Sequence, residues 1–500
     1  MSLYNEIPYP THVYPETHPD SLARTAVLFG MEPPPVQQCR VLEIACGDGG
    51  NLIPMGFELP NSEFLGIDIA STPIQIGQRV MERSGVKNVT LRALDLMEVA
   101  HDFGTFDYII AHGIYSWAPD AVREKLLRIC RDHLSPRGVA FISFNTGPAG
   151  RIRQLTRDMI MFHLRAAGIE ADQVAEGRKF LQMLVDLADD SSIWKAVLGN
   201  EAVRLSKRPD SVTFHDELGA AYSPVYFADF AAAAEQNGLQ SLSDSDLKDI
   251  VDPIKPEAAK ALERLANGDV VRYQQYLDFL VFRGFRRSLL CHRDIPLERG
   301  QYLQRVQTLL VASPLSKSSV EPAGREVFTN RRGSGRITTN NPVVLRALAR
   351  LETVWPRAKH FSELVREIVT EVPPELRAEA PAALAQSLLN LAANKLVDLR
   401  TYQASLAESI PARPLTTGLA RLQAEEGVYV TTLLHTQVEI PDAQTRRLLQ
   451  LLDGTRDLEA LVSAMMPHGE KSQGATETKV TAALEGFRTR ALLVSESSVF

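Results

Sequence analysis

The sequence has few cysteines and none in a metal-binding or redox pattern. Its 500 residues include only Cys39, Cys46, Cys130 and Cys291, which show neither paired spacing nor a Cys-x-x-Cys motif. Isolated cysteines of this kind are most often small buried apolar residues. The pattern argues against a disulfide framework and a structural zinc site, and we expect reduced thiols, no bound metal and an intracellular protein.

Long apolar runs and an excess of basic charge are also missing. No apolar run approaches the length of a membrane span, and the polar start Met1–Pro10 lacks the apolar centre of a signal peptide. The formal net charge is −7, whereas nucleic-acid-binding proteins more often carry a basic excess. We therefore predict a cytoplasmic protein with no membrane insertion and no nucleic-acid partner. A chain of this length is too long for one hydrophobic core, so two to four domains are expected.

The strongest functional signal lies between Arg40 and Asn51. Residues 41–44 are mostly apolar and suit a buried parallel strand, and small residues follow without a break. A helix is predicted to open near Asn51, with Pro54 tolerated in its first turn because the backbone N–H lost there has no intrahelical partner. A strand, a tight turn and a helix start give a ligand close backbone approach and the positive end of a helix dipole. This combination predicts a nucleotide-type site.

The spacing of this turn indicates which ligand it binds. A dinucleotide fingerprint reads Gly-x-Gly-x-x-Gly, whereas this turn reads Glu43-x-Ala45-x-Gly47-x-Gly49, with an acid inside the strand. It resembles motif I of class I S-adenosylmethionine (SAM) dependent methyltransferases, with Ala45 standing where the first glycine usually is. The resemblance implies SAM as the cofactor and S-adenosylhomocysteine as the product.

The next two predicted strands each end in a carboxylate. Phe64–Asp68 places Asp68 where it can accept hydrogen bonds from two ribose hydroxyls. Val89–Leu96 ends in Asp95 and Leu96, where this family holds the adenine amino group and ring. The resemblance thus implies a set of residues that contact the cofactor: Glu43, Ala45, Cys46, Gly47, Asn51, Asp68, Ile69, Asp95, Leu96 and His112.

Strands and helices alternate through the first part of the chain. Two further strands are predicted at Phe106–Gly113 and Gly138–Asn145, and helices at Thr72–Ser84 and Ala121–Leu134. This order predicts an α/β fold with a mostly parallel, doubly wound, Rossmann-like sheet that binds its ligand at the carboxyl ends of the strands.

The N-terminal arm is rich in proline and aromatic residues and precedes a helix predicted to start near Asp20. Its prolines prevent an earlier helix, and its aromatic rings need a surface to pack against. One interpretation is a strap across the edge of the sheet. The other, of similar weight, is a lid that closes over the cofactor and the substrate channel through Tyr4, Tyr9 and His18.

Several segments narrow the resemblance to one group of bacterial methyltransferases. They are Asn5-Glu-Ile-Pro-Tyr-Pro, Glu16-Thr-His-Pro-Asp, Leu28-Phe-Gly-Met, Phe214-His-Asp-Glu-Leu, Pro224-Val-Tyr-Phe-Ala-Asp-Phe, Gln275-Tyr-Leu-Asp-Phe-Leu and Phe285-Arg-Arg-Ser-Leu-Leu-Cys-His. The chain resembles methyltransferases with a regulatory domain, a family that includes the protein-lysine methyltransferases of rickettsial outer-membrane proteins. Those relatives follow the fifth strand with Asn-Thr-Tyr-Pro-Gly-Trp, where this chain has Asn145-Thr-Gly-Pro-Ala-Gly, so the family's acceptor is not carried over.

Methyl transfer needs few residues, because the sulfonium methyl is already activated and the rate depends on aligning the acceptor and excluding water. A lysine acceptor must first lose its proton, from an ordinary pKa of about 10.4, and a desolvated aromatic channel can lower that pKa. The candidates to position the acceptor are His112, Tyr115 and Trp117 after the fourth strand and Asn145 after the fifth. For His112 a capping or packing role, and for Trp117 a place in the core, are the alternatives.

The pattern divides the chain into four regions. They are a SAM-binding domain at 1–150, a helical cover or dimerisation region at 151–212, a regulatory middle domain at 213–325 and a winged-helix-like C-terminal domain at 338–500. The C-terminal domain either adds a bound peptide as a strand or serves domain packing alone.

Two charged segments have interpretations that do not involve catalysis. His215, Asp216 and Glu217 suggest a metal site, but a helix start with acids in its first turn is favoured, because no second ligand cluster stands at a useful spacing. The basic stretch from Glu321 to Asn341 is interpreted as an exposed loop, and a contact for an acidic partner is the less favoured alternative.

Two classes of function fit the whole sequence. The first is a SAM-dependent methyltransferase (EC 2.1.1) that modifies a protein or peptide, expected on lysine nitrogen, with a small-molecule acceptor as its closest variant. The second is a SAM-binding regulatory or interaction protein without turnover. The enzyme is favoured because the set of motif residues is intact, whereas a degenerate site has no need of every cofactor contact. The set comprises Glu43, Gly47, Gly49, Asp68 and Asp95.

Overall fold

The computed structural model describes residues 9, 12–169, 171–219, 221–251, 254–322, 324–333, 335–466 and 473–495. The strands of its central sheet are β1 (Arg40–Ile44), β2 (Glu63–Asp68), β3 (Val89–Ala93), β4 (Phe106–Ala111), β5 (Leu134–Asn145), β6 (Leu239–Asp244) and β7 (Phe285–His292). They lie in the order β3-β2-β1-β4-β5-β7-β6. The first five are parallel, and β7 is antiparallel to both β5 and β6. The predicted mostly parallel, Rossmann-like sheet is confirmed.

Two strands of this sheet come from the middle of the chain. Asn145, the last residue of β5, pairs with Phe285, the first residue of β7, and β6 closes the edge beyond it. The sequence predicts only the five consecutive strands, because pairing between β5 and β7 joins segments separated by a long run of helices. The middle region therefore completes the sheet of the first region.

Helices cover both faces of the sheet. They are α1 (Pro19–Leu28), α2 (Leu52–Glu58), α3 (Ser71–Ser84) and α4 (Asp120–His133). Val41 packs on the face that meets α1, α2 and α3, whereas Leu42 and Ile44 pack on the face that meets α4. Side chains of a strand alternate between the two faces, so an apolar run such as this one is buried on both sides.

Seven helices form most of the middle region. They are α5 (Ala149–Ala167), α6 (Gln173–Leu187), α7 (Ile193–Ser206), α8 (Asp210–Leu218), α9 (Phe227–Gln236), α10 (Pro256–Ala266) and α11 (Val270–Val281). Helices α5, α6 and α7 share a small buried core that includes Ile160, Leu181 and Leu198. The interpretation of residues 215–217 as a helix start is wrong, because they lie in the last turn of α8.

The C-terminal half contains two smaller units. The first comprises α12 (Tyr302–Val306), β8 (Leu310–Ala312), β9 (Leu315–Val320), β10 (Glu326–Asn330), β11 (Arg336–Thr339), α13 (Pro342–Val354), β12 (Lys359–His360), α14 (Phe361–Ile368), α15 (Ala380–Ala393) and β13 (Asp398–Arg400). The second comprises α16 (Gly418–Glu426), β14 (Tyr429–Thr431), β15 (Gln437–Glu439), α17 (Ala443–Gln450), α18 (Leu458–Met465) and α19 (Gln473–Thr489). The winged-helix-like pattern is confirmed.

The basic segment near residue 330 is not a loop. Strands β10 and β11 pair antiparallel, and β10 also pairs with β9 in a three-stranded sheet. The expected exposed loop is therefore wrong, because Phe328 of β10 is buried and its partner Ile337 of β11 packs against the same apolar core. In the part of the chain that the structure describes, no helix is long and apolar enough to cross a membrane.

A buried ion cluster fixes β6, β7 and α11 together. Arg286 of β7 donates to Asp278 of α11 at 2.6 and 2.8 Å and to Asp244 of β6 at 3.1 Å. All three side chains are almost completely buried. Breaking such a cluster by removing one partner leaves uncompensated charge in the interior.

We expect Arg286→Ala to lower the free energy of unfolding by about 3–5 kcal/mol, because Asp244 and Asp278 would stay buried and lose the guanidinium that bridges them. Among the described residues, Asp278 would then keep Arg283 alone as a cation, at 2.6 Å. Urea denaturation followed by circular dichroism measures this change. The matched control is Arg293→Ala, which breaks the exposed pair with Glu235 and should cost less than about 1 kcal/mol. Equal effects of the two substitutions would contradict the assignment of a structural role to the buried cluster.

Candidate active site

A cavity of 780 Å³ opens at the carboxyl ends of the parallel strands. Ile44 of β1, Ile67 of β2 and His112, which follows β4, line its wall. At this edge of a doubly wound sheet, strand ends and helix starts face a crevice where the order of the strands reverses. The cavity therefore lies where the topology predicts a ligand.

The turn after β1 brings the backbone to the cavity surface. Ala45, Gly47 and Gly49 have positive φ angles of 61°, 57° and 74°. No heavy atom lies within 4 Å of the position that a Cβ on Gly47 would take, so the turn faces open space there. A Cβ on Gly77 of α3 would clash with the carbonyl oxygen of Asp48, so glycine is needed for α3 to pack against the turn. Ala45 holds a left-handed conformation that glycine adopts at lower energy.

Glu43 is a carboxylate buried in β1, with 4% of its surface exposed. Its Oε1 accepts a hydrogen bond from the side-chain amide of Asn51 at 2.8 Å. Its Oε2 is buried and has no hydrogen-bond partner among the described residues. Burial raises the pKa of Glu43 to about 8, because the charged form loses hydration. A cationic group of a ligand would supply the missing partner and stabilise the ionised acid.

Two further acids stand at the ends of neighbouring strands. Asp68 accepts backbone hydrogen bonds from Gly47 at 2.9 Å and Ala70 at 2.8 Å, which tie the end of β2 to the first turn. Burial raises the pKa of Asp68, although both hydrogen bonds oppose this shift. Asp95 accepts a hydrogen bond from the backbone N–H of Met97 at 2.9 Å and lines the cavity.

Apolar side chains lie beside these acids. Ile69 lines the cavity with 61% of its surface exposed. Leu96 also lines the cavity but is almost completely buried, so it exposes little surface there. An aliphatic side chain exposed to this extent at a strand end offers apolar surface that a flat ring system can cover.

His112 contributes an uncharged aromatic ring to the wall. Its Nδ1 lies 2.9 Å from Oγ of Ser143, and that oxygen also accepts a hydrogen bond from Gly113 N–H at 2.9 Å. A hydroxyl both donates and accepts, so this contact holds for either tautomer of the neutral ring. Burial lowers the pKa of His112 to about 4. The ring packs on Tyr14 at a centroid distance of 4.1 Å.

A second aromatic group surrounds Trp117. The Trp117 ring packs on Tyr222 at 4.8 Å, and the guanidinium groups of Arg153 and Arg157 lie 5.0 and 5.3 Å from its centre. Cations over aromatic faces are attracted by the ring quadrupole. The four side chains fix one another, and Arg153 also reaches Asn145 Oδ1 at 3.4 Å.

The glycines that follow β5 leave space that other aromatic residues fill. A Cβ on Gly147 would lie 2.5 Å from the Tyr226 ring, and a Cβ on Gly150 would lie 2.7 Å from Pro224 and 3.4 Å from the Tyr222 hydroxyl. Tyr222 and Tyr226 therefore supply the aromatic surface beside this segment.

The acids of α8 are held by arginines. Asp216 pairs with Arg153 and Arg208, and Glu217 pairs with Arg153 and Arg204. Burial alone would raise the pKa of Glu217, but the two arginines hold the pKa below its ordinary value. These contacts assign the acids to an ion-pair network at the cavity edge.

The structure places most of the sequence-predicted residues on the cavity wall. They are Tyr9, Glu43, Ala45, Cys46, Gly47, Asn51, Asp68, Ile69, Asp95, Leu96, His112, Trp117 and Asn145. Tyr115 lies elsewhere, in the core, where its ring packs on Phe230 at 5.2 Å. His18 is also absent from the wall and lies 3.1 Å from Glu58. Tyr4 lies outside the described residues.

Sequence reasoning missed several residues that line the same cavity. They are His12, Tyr14, Arg153, Arg208, Asp216 and Phe285. His12 and Tyr14 carried a signal, since both belong to the aromatic arm, but nothing in the local pattern distinguished them from their neighbours. The other four come from elements that reach the site only through the tertiary fold.

The residues present fit SAM. The partnerless Oε2 of Glu43 suits an ammonium group, the open space at Gly47 admits a ligand against the backbone, and Asp68 suits ribose hydroxyls. Asp95 and Ile69 provide an acceptor and an apolar face for adenine. The surplus of carboxylates matches a ligand that carries both an ammonium and a sulfonium.

Comparisons with known proteins cover the three main parts of the chain. A model described as a methyltransferase domain matches residues 42–140. A model described as a predicted methyltransferase regulatory domain matches residues 209–292, and one described as the PKMT C-terminal winged helix domain matches residues 412–495.

Similar proteins occur in Rickettsia. The uncharacterized protein RP789 of Rickettsia prowazekii is 29% identical, over 94% of this chain and 86% of its own. The uncharacterized protein RP028 of the same organism is 34% identical, over 48% of this chain and 96% of its own. The structure of PKMT2 from Rickettsia typhi in complex with AdoHcy has a TM-score of 0.84 at 26% identity and covers 98% of this chain and 100% of that one.

Three independent observations indicate the same family. They are the strand-end acids with the glycine turn, the three matching family models and the full-length likeness to an AdoHcy complex. The chain belongs to the class I SAM-dependent methyltransferases that carry a methyltransferase regulatory domain and a PKMT-type C-terminal winged-helix domain.

Proposed function

We propose that this methyltransferase modifies a lysine nitrogen of a protein or peptide. The main support is the uncharged aromatic wall formed by Tyr14, His112 and Trp117. These rings line the same cavity as the acids assigned to cofactor binding. The cofactor supplies an activated methyl group when bound. The chain must then align the acceptor nitrogen, exclude water and favour the unprotonated amine.

The aromatic wall supports removal of the lysine proton. Burial raises the pKa of the Tyr14 phenol to about 12, so Tyr14 stays neutral, and burial lowers the pKa of His112 to about 4, so His112 is neutral as well. A lysine side chain placed against these rings loses hydration, which lowers its pKa and exposes the nitrogen lone pair. Asp216 is already paired with Arg153 and Arg208, so it offers a lysine ammonium little net attraction.

The surroundings of the cavity favour a large acceptor over a small molecule. Leu280, Val281 and Phe282 are 52%, 39% and 56% exposed, immediately before the strand whose first residue, Phe285, lines the cavity. Contiguous exposed apolar residues beside a site commonly mark a surface that another protein covers. The PKMT label of the C-terminal model and of the Rickettsia typhi relative, which stands for protein-lysine methyltransferase, supports the same acceptor.

Incubation of the purified protein with SAM and a lysate of its source, followed by mass spectrometry, tests this proposal. We expect methyl-lysine on particular proteins. Asp68→Ala should abolish the signal, because it removes the acid that ties Gly47 and Ala70 together and faces the ribose. Asp102→Ala is the matched control, since Asp102 is an exposed acid outside the cavity. SAM binding without any methylated protein would overturn the lysine assignment in favour of a small acceptor or a sensor.

The pKa of Glu43 leads to a pH dependence of SAM binding. Without ligand the pKa is about 8, so below pH 8 most molecules must release a proton before the carboxylate can pair with the ammonium. SAM affinity should therefore rise between pH 6 and 8, by at most about tenfold per pH unit, and level off above pH 8.

Titration calorimetry at several pH values measures this dependence. Glu43→Gln is the matched control, because it keeps the shape of the side chain and removes the ionisable group. Titration of the ligand itself affects both proteins equally. Identical pH profiles for the two proteins would contradict the role assigned to Glu43.

We also propose that helices α5–α7 form a homodimer contact. Phe162, Leu187 and Ile193 lie on these helices with 68%, 76% and 85% of their surfaces exposed. The buried core shared by the three helices is small, so a partner surface would stabilise the whole region through further apolar burial.

Light scattering after gel filtration tests the dimer. The double substitution Leu187→Glu with Ile193→Glu should shift a dimer to a monomer, because buried charges without partners oppose association. Leu265→Glu is the control, since Leu265 is similarly exposed at 61% but lies on α10. A wild-type protein that is monomeric at all concentrations would exclude the contact.

A further inference from the structure

A histidine from the C-terminal unit reaches the cofactor-binding domain. His435 lies in the turn between β14 and β15 and is 1% exposed. Its Nε2 lies 3.0 Å from the side-chain oxygen of Asn51, and its Nδ1 lies 3.1 Å from Oε1 of Glu58. Asn51 precedes α2 and Glu58 ends it, so the ring contacts both ends of this short helix.

Neighbouring contacts fix the orientation of the Asn51 amide. The backbone N–H of Tyr14 donates to Asn51 Oδ1 at 3.0 Å, which identifies that atom as the oxygen. The amide nitrogen therefore points to Glu43 Oε1, at 2.8 Å, and to Thr17 Oγ1, at 3.0 Å. A continuous chain runs from His435 through Asn51 to Glu43, whose second oxygen is the partnerless one.

The hydrogen positions in this chain follow from its acceptors. Asn51 Oδ1 accepts, so His435 Nε2 donates. His18 accepts the backbone N–H of Asp20 on its Nδ1, which leaves its Nε2–H facing Glu58 Oε2 at 3.1 Å. The other oxygen of Glu58 faces His435 Nδ1. Burial alone would raise the pKa of Glu58, but His435 and His18 beside it hold the pKa below its ordinary value, so its oxygens act as acceptors.

The local backbone holds His435 in a costly conformation. Its φ angle of 51° lies in the left-handed region, which is uncommon for residues other than glycine. Thr432 accepts the His435 backbone N–H at 3.2 Å, and Leu433 anchors the turn to Ala491 beyond α19 at 2.9 Å. Strain of this kind persists where the surroundings over-determine the conformation, and it is frequent at functional sites.

We propose that His435 is a positioning residue for the cofactor, which holds Asn51 so that Glu43 presents its free oxygen to the cofactor ammonium. The C-terminal unit thereby becomes part of the cofactor site. If contact of the turn around His435 with Asn51 strengthens SAM binding, then bound SAM must strengthen that contact by the same factor, because the two equilibria are thermodynamically linked. This inference rests on SAM binding alone and does not depend on the identity of the methyl acceptor.

Two substitutions separate the contacts of His435. In His435→Gln the side-chain amide nitrogen reaches about as far as Nε2 and keeps the donor to Asn51. In His435→Asn the amide nitrogen reaches only as far as Nδ1, which keeps the donor to Glu58 and loses Asn51. Asparagine fits the left-handed backbone better than glutamine, so a purely structural role predicts that His435→Asn is the milder change.

Calorimetry of SAM binding to the full chain distinguishes these roles. We expect His435→Asn to weaken binding about tenfold, the equivalent of one hydrogen bond, and His435→Gln to weaken it much less. The KM for SAM should rise with little change in kcat. Thr401→Val is the control, because it breaks a different contact of the same junction, the 2.6 Å hydrogen bond to Asp20. It should leave SAM affinity close to that of the wild type.

Two more measurements complete the test. In a Glu43→Gln background the effect of His435→Asn should largely disappear, because the coupling passes through Glu43. In the wild-type protein, S-adenosylhomocysteine should slow hydrogen exchange of the amides from Leu433 to His435, which needs no substitution and no refolding. Wild-type affinity in His435→Asn, equal losses in both histidine variants, or unchanged exchange at this turn would each overturn the proposal.

Discussion

The site depends on a carboxylate that the fold buries without completing its hydrogen bonds. A parallel strand inside a two-sided core is a costly place for an acid, and Glu43 receives only one hydrogen bond from Asn51 among the described residues. A bound cation offsets the cost of burying this carboxylate. The partnerless oxygen of Glu43 therefore favours a ligand with an ammonium group. The glycine turn beside it removes the side chains that would otherwise occupy the same space.

The other parts of the chain converge on that carboxylate. The N-terminal arm fixes Asn51 through Tyr14, and the C-terminal unit contacts the same amide through His435. The middle region supplies β7 and the arginine network at the cavity edge. Distant segments are therefore ordered around one short helix, α2.

Local pattern predicts the features of the site that arise within a strand and its following turn. Glu43, Gly47, Asp68 and Asp95 all follow from the alternation of strand and helix, because parallel strands bring their carboxyl ends to one edge. The sequence does not predict β6, β7 or the contact of His435, since these depend on pairing between distant segments. Tyr115 illustrates the complementary error: its position after β4 suggests a site residue, but an aromatic residue there is equally suited to the core.

A crystal structure of the full chain with S-adenosylhomocysteine tests the role of Glu43 most directly. We expect the ammonium of the ligand within hydrogen-bond distance of Glu43 Oε2, the ribose hydroxyls on Asp68, and the turn around His435 seated against Asn51. A ligand bound at these strand ends with its ammonium directed away from Glu43, or a ligand bound elsewhere in the fold, would contradict this role.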